Sequence, residues 1–102
     1  MQYANHYMYS DVDPYEVVRV VSEKTIEIRA MKAERDESVK LEWVPGGFSA
    51  ICLNDSDQKW HITSDETAPI KRIRLGKRGW KDAHGGRYGL ADEPVKYHDY
   101  NF

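Results

Sequence analysis

The sequence predicts a mostly β chain, folded as a small single-domain barrel or a strongly bent antiparallel sheet of roughly five to seven short strands, with room for one short helix. Three observations carry this. Apolar and polar residues alternate over short runs, clusters of Gly, Pro, Asn and Asp separate those runs at close intervals, and 102 residues suffice for one hydrophobic core. Apolar residues make up 40% of the chain and charged residues 31%, a balance that favours a folded domain with a well-solvated surface.

Residues 1–13 hold Tyr3, Tyr7, Met8 and Tyr9 among polar groups and end at Asp13-Pro14, a turn-like stop. They are expected to form a loosely held arm, with a single β-rich domain over residues 14–102. Residues 15–21 are rich in valine, and residues 25–29 place Ile26 and Ile28 opposite Glu27 and Arg29. The short polar link between these runs predicts a first β-hairpin. Residues 31–42 contain good helix formers but no apolar stripe, so a short helix or a charged loop is expected.

Pro45-Gly46-Gly47 marks a turn before the apolar run 48–53, and residues 54–57 mark another before 59–63, which together predict a second hairpin. Residues 64–69 break the chain again. Beyond them Arg72 and Arg74 alternate with Ile73 and Leu75, giving one cationic and one apolar face. The last quarter is rich in glycine and ends in aromatic residues, which predicts tight turns and a C-terminus that docks on the domain.

Residues 15–21, Pro45-Gly46-Gly47-Phe48, residues 58–64, residues 70–80 and the ending Asp99-Tyr100-Asn101-Phe102 resemble a family of short hypothetical proteins carried by bacteriophages and prophages. The resemblance spans residues 14–102. It implies a small phage-encoded protein in the bacterial host cytoplasm and transfers no functional residue.

Charge gives the main functional clue. The formal net charge is −2, yet residues 1–60 carry 7 basic and 11 acidic side chains whereas residues 61–102 carry 8 and 6. Between residues 71 and 88 stand Lys71, Arg72, Arg74, Lys77, Arg78, Lys81 and Arg87 with a single acid, Asp82. Guanidinium groups bind phosphate bidentately and aromatic faces stack on bases. Arg72, Arg74, Lys77, Arg78, Trp80, Arg87 and Tyr88 are therefore the candidate ligand-binding residues, against the plainer reading of a solvated strand face over core aromatics. Gly85-Gly86 and Gly76 to Gly79 offer a weaker signal for an anion-binding concavity, and turn formation alone explains them.

No cofactor or metal is expected, because His6, His61, His84, His98 and Cys52 lack the close spacing of a metal motif. Cys52 in an apolar run reads as a buried small hydrophobe, not a nucleophile. The first ten residues lack the order of a signal peptide, and no apolar run is long enough to span a bilayer. Three functions remain in view. The first is a non-enzymatic cytoplasmic binding protein for an anionic ligand, either a nucleotide signal or a short nucleic acid, with an anti-defence role as one form. The second is an inhibitor or adaptor engaging a host protein through the acidic stretch 34–42 or the tyrosine-rich arm. The third is a phosphodiesterase or nuclease using His61, His84 or His98. Strand edges also make a homo-oligomer an expectation.

Overall fold

The computed structural model describes residues 2–40, 42–46, 49–52 and 58–98, with the backbone alone described at 43–46 and 49–52. Among the described residues are ten strands: β1 (Tyr3–Tyr7), β2 (Val12–Ser22), β3 (Thr25–Ala30), β4 (Lys32–Arg35), β5 (Trp43–Gly46), β6 (Ser49–Cys52), β7 (Trp60–Thr63), β8 (Ile70–Gly76), β9 (Gly79–Lys81) and β10 (Arg87–Ala91). Six of them close an antiparallel barrel in the order β1-β10-β9-β8-β3-β2, and β2 returns to β1. Two small sheets, β4 with β7 and β5 with β6, lie outside the barrel. The β class and the barrel expected from alternation and turns are both present. No helix occurs among the described residues, and hence none long and apolar enough to cross a membrane.

The β2–β3 hairpin forms as the sequence predicts, turning at Glu23 and Lys24 between Ser22 and its partner Thr25. Alternation turns Ile26 and Ile28 inward, where they meet Ile73 of β8, Ala4 of β1 and Tyr88 of β10. Tyr15, Val17, Trp80 and Leu90 pack around this centre. Ile28 and Ile73 are 0% exposed, and burying each side chain contributes about 1.5–3 kcal/mol. The core is small, so closing the barrel, which leaves no free sheet edge, is essential to it.

Three expectations are corrected. Residues 3–7 are no arm: β1 pairs with β10 on one side and β2 on the other, and Ala4 and Asn5 are buried. The strand was obscured because its inward positions, Ala4 and His6, are not β-branched, and because Pro14 continues β2 where a stop was expected. The Pro14 position opposes Asn5, and the Pro14 carbonyl accepts from the Met31 amide. In place of a short helix at 31–42, β4 forms and is followed by a turn in which Asp36 Oδ1 accepts from the Ser38 amide (2.9 Å) and hydroxyl (2.6 Å). Finally, β7 pairs with β4, opposing Ile62 to Ala33, while β6 pairs with β5. Residues 53–57 and the final four, 99–102, lie outside the described residues, and with them the second turn cluster and the expected C-terminal docking. Just before the latter, Tyr97 exchanges two backbone hydrogen bonds of 2.9 Å with Val12.

Candidate anion-binding groove

The β8–β9–β10 wall carries the basic segment. On β8, Ile73 points into the core, so Arg72 and Arg74 point outward; on β9, Trp80 packs on the core and Lys81 points out. Gly79, at φ +96°, supplies the left-handed backbone of the β8–β9 hairpin, whose turn presents Lys77 and Arg78. Arg72, Arg74, Lys77, Arg78 and Lys81 together line a groove of about 700 Å³. The structure thus brings four of the seven sequence-predicted residues together and adds Lys81.

Register extends this cationic surface. Arg74 opposes Lys81, Lys81 opposes Arg87, and Arg87 opposes Tyr7 of β1. Three cations therefore stand side by side on the outer wall and lead to an aromatic side chain. Arg72 is neutralised: its Nη2 lies 3.1 Å from Glu27 Oε2, across the β3–β8 pair. Among the described residues, no carboxylate lies within ion-pair distance of Arg74, Lys77, Arg78, Lys81 or Arg87. Like charges in register oppose each other on one sheet face, so such a row is destabilising until an anion offsets it.

Trp80 and Tyr88 are not the stacking residues expected. Both take the inward positions of their strands, Tyr88 being 5% exposed in the core and Trp80 packed against it. The aromatic beside the cations is instead Tyr7, which is 48% exposed. Gly89 makes room for its ring, since a Cβ there would come within 2.7 Å of Tyr7 Cε2. Tyr7, Tyr9 and Arg87 line a second depression together with His6 and His84. Sequence reasoning misses Tyr7 because the polar composition of residues 1–13 predicts an arm; its alternation with Ala4 and His6 is the available signal. Lys81 takes its outward place because its neighbour Trp80 turns inward, which the sequence alone does not assign.

Comparison with protein-family models, with curated proteins and with solved structures finds no match.

Inside the barrel, behind the groove, lies a polar network. Tyr88 donates its hydroxyl proton to Asp82 Oδ2 (2.9 Å), and Lys71 Nζ lies 3.1 Å from the Tyr88 oxygen and 3.7 Å from Asp82 Oδ2. His6 stacks on Tyr88 with ring centroids 4.6 Å apart, and Tyr15 meets Tyr88 edge-on. Burial and the Asp82 hydrogen bond push the Tyr88 hydroxyl far up, while burial and the Lys71 charge hold His6 below its ordinary value. For Asp82, burial pushes upward but is outweighed. Hydrogen bonds from the Gly86 amide, the Tyr88 hydroxyl and the His84 amide, with the charge of Lys71, bring its carboxyl down to about 2.

The Gly85-Gly86 concavity thus has an occupant from the chain itself. Gly86 and His84 amides donate to Asp82 Oδ1 at 2.8 and 2.9 Å, and the Gly85 amide to the Asp82 carbonyl. The turn reading of these glycines holds. The histidines named for phosphodiester chemistry lie apart, His61 facing Asp36, His84 in the β9–β10 turn and His98 facing Asp11, while His6, stacked on Tyr88, shares one depression with His84. Among the described residues no three His, Cys, Asp or Glu side chains gather as a metal site would need.

Proposed function

We propose that this chain is a non-enzymatic binding protein whose β8–β9 groove takes a phosphate-bearing anion, such as a nucleotide or a short nucleic acid. The observation that carries the reading is the convergence of Arg72, Arg74, Lys77, Arg78 and Lys81 on one groove, four of them lacking an acidic partner among the described residues. Guanidinium and ammonium heads crowded in this way repel each other, and a polyanion relieves the repulsion with charge-assisted hydrogen bonds. Binding without turnover fits the lining: its one acid among the described residues, Asp82, is already held by its own turn, Tyr88 and Lys71, so no free general base faces the groove.

Binding of a nucleotide signal by a phage protein in the host cytoplasm, countering defence, is one biological form of this reading. Self-association belongs with it, because among the described residues β4 and β7 pair only with each other and leave strand edges open. Native mass spectrometry of the protein purified from bacteria reads bound ligand and assembly together.

Titration calorimetry with sodium tripolyphosphate and with ATP at low salt tests the groove directly. The double variant Arg74→Glu/Lys81→Glu reverses the charges of exposed Arg74 and half-buried Lys81 and is expected to lose binding more than tenfold with its circular dichroism unchanged. Equal affinity in the folded double variant sinks the reading.

A further inference from the structure

The cationic row does not end with the groove. From Arg74 through Lys81 and Arg87 to Tyr7 it crosses four adjacent strands, about 14 Å at the usual strand spacing. A single phosphate group cannot bridge that length, and the row ends on an aromatic ring. The Tyr7 ring lies over Gly89, which lacks the Cβ that would lift it from the wall, and nearly half of the side chain remains exposed. Cations in line beside an aromatic surface are what an unpaired strand of nucleic acid recognises: phosphates follow the charges, and a base stacks on the ring.

We infer that the outer wall of β8, β9, β10 and β1 binds single-stranded nucleic acid, with Arg74, Lys81 and Arg87 on successive phosphates and Tyr7 as a base-stacking platform. This rests on the reading of the groove as an anion site and extends it to a polymer. A duplex suits the wall less well. Its bases are already stacked and cannot meet Tyr7, and a protein with 17 acids against 15 Lys and Arg residues repels an extended duplex beyond the row.

Fluorescence anisotropy with labelled oligothymidylate of about ten nucleotides, a length within the usual single-strand site range, is the test. A duplex of equal length and unlabelled tripolyphosphate serve as comparisons. The wild type is expected to prefer the single strand, with log affinity falling by about 2 per decade of salt for three phosphate contacts. Tyr7→Leu, which keeps an apolar cover on Gly89, should weaken oligothymidylate binding by roughly 5- to 100-fold and leave tripolyphosphate binding unchanged, whereas Tyr7→Trp should retain affinity. Arg87→Glu changes an exposed side chain outside the groove, so it keeps the test decisive if Tyr7→Leu fails to fold; it should weaken the oligomer at least tenfold and tripolyphosphate by a smaller factor, through the new carboxylate opposite Lys81.

Tripolyphosphate binding without oligothymidylate binding overturns this inference and leaves the groove reading intact. So does an oligomer affinity indifferent to both Tyr7→Leu and Arg87→Glu, or a duplex bound as tightly as the single strand. Failure to bind either probe overturns both.

Discussion

Replacing Asp82 with Asn removes one charge from the network behind the groove while keeping the shape of the side chain. Asp82 accepts from two backbone amides and the Tyr88 hydroxyl at 2.8–2.9 Å, with Lys71 Nζ at 3.7 Å, and its side chain is 11% exposed. Its carboxyl falls from an ordinary 3.8 to about 2 in the folded protein, which corresponds to about 2 kcal/mol of stability from the ionised form. Because the folded value is depressed, that contribution is present in full above about pH 4 and is lost as pH falls towards about 2. Asn cannot ionise, and its amide group sets a donor against groups that already donate. The Asp82→Asn variant should therefore lose about 2–3 kcal/mol at pH 7, lowering the melting temperature by about 10 °C. Urea titrations of both proteins between pH 7 and pH 2 measure this. The gap should narrow through the acid range as the wild type protonates. A loss below about 0.5 kcal/mol at pH 7, or a gap that does not change with pH, would refute the assignment of Asp82 as an ionised anchor.

Two further perturbations test the architecture. Deleting residues 1–7 removes the strand that joins β10 to β2, with buried Ala4 and Asn5, whose side chain bonds the Glu93 carbonyl and the Val95 amide. The truncated chain should lose its cooperative thermal transition, and a normal melt would restore the view of this segment as an arm. Gly86→Ala places a Cβ 2.6 Å from Asp82 Oδ2 and 3.0 Å from His6 Nε2, in a network whose members are already fixed. A cost of about 1–3 kcal/mol is expected by denaturant titration, against little change for Gly76→Ala, where nothing lies within 4 Å. Equal stability of the two variants would show that the turn gives way freely.

The local part of the fold was legible. Alternation in residues 25–29 and 70–75 marked β3 and β8 and their inward faces, because a strand's period of two is written directly into its residues, whereas the pairing of Glu27 with Arg72 came only with the register. The charge concentration at 71–87 likewise located the groove, since residues near in sequence on one hairpin stay near in space. The long-range part was not legible. Whether a strand sits at an edge or closes a barrel depends on partners some eighty residues away, as for Tyr7 and Arg87, and nothing local to residues 3–7 encodes them.

The sequence by itself determined that the chain is β-rich, which faces its clear strands bury, and that its second half gathers cations. Tertiary structure alone decided that Trp80 and Tyr88 turn inward and that Tyr7 takes the place beside Arg87. It also decided that Lys71, still partly exposed, leaves the outer face of β8 for Asp82 and Tyr88. The physical reason is closure: once six strands share one small interior, every inward position must fill it, and only the register of the closed sheet fixes which outward side chains become neighbours.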